Sequence, residues 1–247
     1  MRGFPLLLIA LAVLASFCMY TRTHIRIVVA RYAEDVSWLN AIPRTEVIIY
    51  DKGGPGNTLL EYPSHATRVP LPNVGRESHT YLHHIITHYD KLADVTIFLP
   101  GSCDVPGKMN KTLWTVNQAM RTSDSAFPQV FRGTDPIRVS MGAFTLEDHQ
   151  STHGVNALKN PDSGLLLSPD RPFATWYAKK GLPDVKEFFY NAIFAVSKRH
   201  IHRRSLSQYR TLMEGLDSHS SPEAGHYMER AWMAVFAPVP HTCMEFA

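Results

Sequence analysis

Asp51 is the first residue in this sequence whose type and position suggest chemistry. It closes the apolar run Val47-Ile48-Ile49-Tyr50 and precedes Lys52-Gly53-Gly54. A carboxylate at a strand end can accept hydrogen bonds from a ribose or from a uracil N–H, and charge-assisted bonds are stronger than neutral ones. The same residues also make an ordinary turn, and position alone does not separate the two. Asn73-Val74-Gly75-Arg76-Glu77 opens a helix. Free backbone N–H groups there favour an anion, and Arg76 can add a bidentate phosphate contact. Capping explains Asn73 and Glu77 equally well but gives Arg76 no role, since a cation is unfavourable at that end. After the run Val95 to Leu99 comes Pro100-Gly101-Ser102-Cys103-Asp104. Asp104 could hold Mn²⁺ or Mg²⁺ against a diphosphate, because hard cations take carboxylate oxygens; a glycine-containing turn is the plainer account. Near the end, Gly225-His226-Tyr227-Met228-Glu229-Arg230-Ala231-Trp232 sets an acid and a base among large aromatics. A carboxylate in such surroundings can have a raised pKa and serve as general base, although an acid next to a base on an amphipathic helix is often only surface charge.

Other clusters point less clearly to a site. Among 13 histidines, His79/His83 and His84/His88 have the i,i+4 spacing of zinc ligands. The two pairs lie about 140° apart around a helix, so they cannot share one ion. Lys198-Arg199-His200-Ile201-His202-Arg203-Arg204 is the densest basic run. It could clamp a diphosphate or form a solvated helix face.

These residues need elements to position them. Ile27 to Tyr32, Glu46 to Tyr50 and Val95 to Leu99 read as strands, separated by helical stretches. That alternation predicts an α/β fold with a mainly parallel sheet, whose ligands sit beyond the carboxyl ends of the strands. Pro63 to Pro72 reads as a connector, with Leu59 to Tyr62 as a short strand before it. The helix Arg76 to Tyr89 sets Tyr81, Leu82, Ile85, Ile86 and Tyr89 on one face. Met109 to Arg121 is predicted as a helix, and Phe127 to Phe131 and Ile137 to Met141 as strands. Thr145 to Pro172 reads as a long loop, the kind that is commonly functional. Phe188 to Val196 is apolar and aromatic, and helices are predicted over Arg204 to Leu216 and Tyr227 to Phe236.

The chain has 247 residues, 45% of them hydrophobic, enough for one large α/β domain. A formal charge of +3 with scattered Lys and Arg argues against nucleic acid as a partner. Phe4 to Tyr20 is an uncharged, largely apolar run with Arg2 before it and Arg22, His24 and Arg26 after it. It is slightly short for a spanning helix, which needs about 20 residues, and long for the apolar core of a cleaved signal. Residues 1–24 are therefore expected to be a signal anchor, making the protein single-pass in the endoplasmic reticulum or Golgi with residues 25–247 on the lumenal side. Cleavage of the segment would make it secreted. With Cys18 in the anchor, Cys103 and Cys243 are the pair left for a lumenal disulfide, and no spacing constrains it.

Ile27 to Tyr32 with Glu34, Ile48 to Gly53 and Asn73 to Glu77 resemble the opening of GT-A nucleotide-sugar glycosyltransferases. In those enzymes a strand-end acid contacts the nucleoside, and a later strand ends in an Asp-x-Asp motif that binds metal. Here Ser102-Cys103-Asp104 stands at that place, so only the second acid is matched. The chain more closely resembles a family of unknown function, of the type numbered 3431. The shared stretches are Gly75-Arg76-Glu77-x-x-x-Tyr81-Leu82, Arg171-Pro172-Phe173, Trp176-Tyr177, Phe194-Ala195-Val196-Ser197 and Glu229-Arg230-x-Trp232. The glycosyltransferase resemblance implies a single GT-A-like, Rossmann-related domain that transfers a sugar from a nucleotide sugar to a glycan or glycoprotein acceptor. Asp51, Asn73, Arg76, Glu77, Trp176, His226 and Arg230 would bind substrate, Asp104 the metal, and Glu229 would be the catalytic base. The alternative is a non-catalytic carbohydrate-binding or scaffold protein on the same fold.

Overall fold

The computed structural model describes residues 23–53, 63–146, 164–190 and 192–247. The Phe4 to Tyr20 run, the expected strand Leu59 to Tyr62 and most of the Thr145 to Pro172 loop lie outside them. Among the described residues no helix is long and apolar enough to cross a membrane.

In chain order the strands are β1 (Ile25–Arg31), β2 (Glu46–Asp51), β3 (Ala66–Pro70), β4 (Val95–Pro100), β5 (Phe127–Arg132), β6 (Glu187–Phe188), β7 (Phe194–Ser197) and β8 (Met244–Phe246). The helices are α1 (Arg76–Thr87), α2 (Lys108–Thr122), α3 (Ile137–Ser140), α4 (Phe173–Lys179), α5 (Lys198–Ile201), α6 (Leu206–Met213) and α7 (Glu223–Phe236). The main sheet has the order β3-β2-β1-β4-β7; β1 to β4 are mutually parallel and β7 runs antiparallel to β4. A smaller sheet has the order β6-β5-β8.

Both faces of the main sheet are covered, which is why its strands read as unbroken apolar runs. Val28, Ala30, Ile48, Tyr50 and Phe98 pack on one side with Tyr81, Leu82 and Ile85 of α1 and the apolar side of α7. Their alternates Ile27, Val29, Val47, Ile49 and Ile97 face the other side, against Trp38, Leu39 and the α2 residues Val116 and Ala119. The period of two along each strand sorts the residues into these two cores.

The sequence reading is right about the parallel strands and about most helices, and several elements differ. The strand Val95 to Pro100 is the fourth, because β3 forms inside the proline-punctuated connector. It is an edge strand that pairs on one side only, three of its five residues are exposed, and no apolar run marks it. Ile137 to Ser140 is a helical turn after Pro136 and not a strand. Phe188 to Val196 divides into β6 and β7, which belong to different sheets. Helix α7 starts at Glu223, well before Tyr227, with Pro222 preceding its first turn. Glu223 is buried there and accepts hydrogen bonds from Leu146 N at 2.7 Å and Ser168 N at 2.9 Å. Cys103 and Cys243 are separate free thiols, both buried, so the disulfide considered above is not formed. The Cys103 thiol donates to Pro100 O at 3.1 Å and the Cys243 thiol to Asp124 Oδ2 at 3.6 Å. His84 is sealed in the core beside the Tyr50 hydroxyl, with Nδ1 3.0 Å from it.

Candidate functional site

Strand order places a topological switch point between β1 and β4, because the chain moves outward through β2 and β3 and then returns to the other side of β1. Beyond the carboxyl ends there lie Tyr32 to Glu34, following β1, and Gly101 to Asp104, following β4. Glu34 turns its carboxylate back onto its own loop, where Oε2 accepts from Tyr32 N at 2.7 Å and Ala33 N at 3.1 Å. The same carboxylate packs against Gly101, where any Cβ would sit 2.7 Å from Oε2. Trp38 Nε1 donates to Gly101 O at 2.8 Å, and Lys108 Nζ donates to Ser102 Oγ at 2.8 Å. Burial pushes the Cys103 thiol up to about 12; the Thr112 hydrogen bond and Lys108 work against this, while Asp104 and Glu34 add to it. Two carboxylates therefore stand close to Cys103. Asp104 is exposed, and among the described residues no three His, Cys, Asp or Glu gather as a metal site.

Asp51 ends β2 as expected, but it is not a surface group. Its side chain is 1% exposed and lies between two guanidinium groups. Arg31 Nη1 is 2.8 Å from Oδ1, Arg68 Nε donates to Oδ2 at 2.7 Å, and Gly53 N donates to Oδ1 at 3.0 Å. The three charges come from adjacent strands β1, β2 and β3. Arg31 is as buried as its partner, whereas the Arg68 side chain is 42% exposed.

Lys52, the next residue, is also buried. Its Nζ donates to Val74 O at 2.6 Å and to Arg76 O at 2.5 Å. These bonds span a turn in which Gly75 has φ of 62° and Arg76 φ of 53°. Only glycine suits position 75, since a Cβ would lie 2.2 Å from Leu216 O. The left-handed Arg76 is a strained residue held by its surroundings. Its aliphatic part packs on Gly225 of α7, where a Cβ would be 3.2 Å from Arg76 Cδ. Burial lowers the Lys52 pKa to about 7, with Glu77 opposing and Arg76 adding to the effect. The Glu77 side chain is one third exposed. Burial works to raise its pKa, yet Arg76, a backbone N–H, Lys108 and Lys52 together hold it below the usual carboxylate value. Arg76 Nε lies 3.7 Å from Glu77 Oε2, and the charges of Lys108 and Lys52 also act on that carboxylate.

Helix α7 packs against α1 beside this turn. Tyr81 is buried, and its hydroxyl donates to Ala192 O at 2.8 Å. Burial raises its pKa, and the charges of Glu77, Cys103 and Glu229 raise it further. Glu229 of α7 and Glu77 of α1 accordingly lie around one buried phenol. The Arg230 guanidinium sits 3.8 Å above the Phe144 ring and 5.3 Å from that of Tyr190, and Nη1 donates to His226 O at 2.9 Å. Asn73 is half-buried in the turn before Gly75. Trp176 does not join these residues: it is buried in the core against Phe173 and Tyr227, with ring centroids 6.1 and 5.6 Å away. The Lys198 to Arg204 run also falls elsewhere. Ser197 pairs with Val95, the first residue of β4, so the run lies at the opposite edge from Asp104.

Lys108 was not singled out from the sequence, nor was the clamp made by Lys52, and Glu34 was named only within the resemblance and given no role. A glycine directly before the helix that begins at Lys108, and the acid that follows β1, were the available signals.

The buried half of the Asp51 triad should matter more than the exposed half. Asp51→Ala should lower stability by about 3–5 kcal/mol, because it takes the carboxylate from a buried arginine. Arg68→Ala should cost less than about 1 kcal/mol. Urea unfolding midpoints measure both, and equal losses would show that burial does not set the cost. Lys52 predicts a pH dependence. In the unfolded chain its pKa is about 10.4, so above pH 7 the unfolded state binds the extra proton and stability rises with pH. Relative to Lys52→Met, the wild type should gain up to about 1.4 kcal/mol per pH unit between roughly pH 7 and 10. A pH-independent difference between the two proteins would rule this out.

No curated protein matches this chain. Residues 27–247 match the family described as "Protein of unknown function (DUF3431)", and the chain belongs to that family.

Proposed function

We propose that the carboxyl edge of the sheet beyond β1, β2 and β4 binds a nucleotide sugar and that the protein transfers the sugar to a glycan or glycoprotein acceptor. The observation that supports this reading is the placement of two half-buried cations there: Arg76 opens α1, 3.7 Å from Glu77, and Lys108 opens α2 after β4. Such edges receive ligands, and Arg76 and Lys108 suit the phosphates of a nucleoside diphosphate. The resemblance of the Arg31, Glu34 and Asp51 segments to GT-A nucleotide-sugar glycosyltransferases points the same way. Asp51 acts here through Arg68, which it orients and whose exposed side reaches solvent beside β3.

In the reaction, the acceptor hydroxyl oxygen bonds to the anomeric carbon while the bond from that carbon to the diphosphate oxygen breaks. The diphosphate leaves with the electron pair, and Arg76 and Lys108 face the charge it carries. Glu229 takes the acceptor proton, and Asn73, His226 and Arg230 line the approach. The donor set fits a resident Mn²⁺ or Mg²⁺ poorly, because among the described residues Asp104 belongs to no group of three His, Cys, Asp or Glu, and Glu34 already accepts two backbone N–H groups. No step is therefore assigned to a metal. The buried, fully engaged Asp51 favours a second reading, a non-catalytic carbohydrate-binding or scaffold protein on the same frame.

Calorimetric titration of uridine and guanosine diphosphates, with and without Mn²⁺, tests the proposal. One of them should bind, and Arg76→Ala should weaken it roughly 10- to 150-fold, the loss expected for a charge-assisted contact. Glu229→Gln should leave that affinity in place and abolish sugar transfer. If neither diphosphate binds the wild type under either condition, the scaffold reading replaces the enzyme. The proposal also places the protein in a secretory-pathway membrane through the Phe4 to Tyr20 run. Full-length protein should then stay in the pellet after carbonate extraction; recovery in the supernatant with a shortened N-terminus would indicate a cleaved signal.

A further inference from the structure

Three aromatic side chains cluster where the fold meets solvent, Phe188 resting on the core and Tyr190 half-buried with its hydroxyl donating to Met141 Sδ at 3.7 Å. Phe131 in β5 is 41% exposed. Its partner in register is Phe188 of β6, and the two rings lie 5.6 Å apart with planes 22° from parallel. Tyr190 completes the group, with ring centroids 6.0 Å from Phe131 and 5.6 Å from Phe188. The interleaved residues Phe127, Val130 and Phe189 are buried, so the chain has filled its core and still places rings outward at the alternate positions. A register shift between Phe127 and Val130, with Gln129 at φ of 49°, accompanies this arrangement. Bulges of that kind re-aim the side chains that follow them.

The cluster lies close to the site. Tyr190 shortly precedes Phe194, which pairs with Phe98 near the carboxyl end of β4. Arg230 reaches over Tyr190 and Phe144, and the charge of Glu229 is felt at the Tyr190 hydroxyl. On the opposite flank Arg132 and Glu187 form an ion pair at 3.1 Å. The polar groups around these rings narrow what can lie on them. A lipid or an apolar peptide would need the apolar surface to continue, and here charged groups bound it on two sides. A pyranose ring has the complementary chemistry: C–H groups on its face, hydroxyls around its edge. Its face would lie on the aromatic rings while its hydroxyls meet Arg230 as donor and Glu229 as acceptor.

We propose that Phe131, Phe188 and Tyr190 form a stacking platform for a pyranose ring of an oligosaccharide, with Arg230 and Glu229 holding the ring hydroxyls. The assignment of that oligosaccharide as the acceptor, and only that, rests on the transferase reading.

The test titrates full-length protein with cellotriose, chitotriose and mannotriose, followed by calorimetry and saturation-transfer NMR, with uridine and guanosine diphosphates measured in parallel. At least one trisaccharide should bind. Phe131→Ala and Tyr190→Ala should each weaken it about three- to tenfold, the range that aromatic ring contacts supply. Phe131→Tyr, which keeps the ring, should retain wild-type affinity, and diphosphate affinity should be the same in every variant. The platform is overturned if none of the trisaccharides binds the wild type, or if binding survives both alanine substitutions unchanged while the unfolding midpoints confirm folded protein. Ring-dependent trisaccharide binding without diphosphate binding leaves the platform standing and removes the transferase reading. Diphosphate binding without ring-dependent trisaccharide binding does the reverse.

Discussion

A buried carboxylate held between two arginines organises the functional edge of this protein. Arg31, Asp51 and Arg68 come from three neighbouring parallel strands and meet at their carboxyl ends. Taking such charges out of water is costly, and the cost is recovered only when partners and geometry are nearly ideal. Arg31 meets this demand with further bonds to backbone carbonyls, donating to Glu34 O at 2.8 Å through Nε. The triad thereby ties the loop after β1 to the end of β2. Shifting the register of β1 against β2 would separate Arg31 from Asp51 and leave both buried without each other.

The neighbouring Lys52 extends the same logic from the sheet to the first helix. Its ammonium group has carbonyl partners at Val74 and Arg76 and, among the described residues, no carboxylate hydrogen-bonded to it, and burial dominates its titration. In return it secures a left-handed pair of residues that would otherwise relax. That turn starts α1, and in it the Arg76 stem packs on Gly225 of α7. Sheet, α1 and α7 are consequently fastened at one place, where the candidate ligand groups also lie. A site built on strand ends and helix starts is more rigid than one carried by loops alone.

The edge is electrostatically mixed. The charges of Arg76, Lys108 and Lys52 act on Glu77, while those of Glu34 and Asp104 act on Cys103 on the β1 and β4 side. Near Tyr190 the character changes to aromatic rings, with the Arg132–Glu187 ion pair beside them.

Much of this was legible in the sequence because it depends on local pattern. The apolar runs of β1, β2 and β4 can be buried on both faces only in a covered parallel sheet, and the strand ends put Asp51 and Asp104 on one edge. The glycine and arginine at 75 and 76 marked the helix start. Edge strand β3 was hidden because one-sided pairing leaves no apolar signature, and the helical turn at Ile137 to Ser140 was hidden because four residues carry no periodicity. Which charges are paired could not be read from the chain. Arg31 lies 20 residues from Asp51, and Lys52 lies 22 and 24 residues from the carbonyls it holds. The same limit applies to Trp176, whose place in the core depends on α4 packing against α7, and to the basic run at Lys198, whose edge depends on β7 running antiparallel. Sequence patterning determined which segments are strands and helices, since solvent exposure imposes a period on each. Only the tertiary structure decided which charge meets which, because electrostatic partners are selected by distance in space and the residues concerned are remote along the chain.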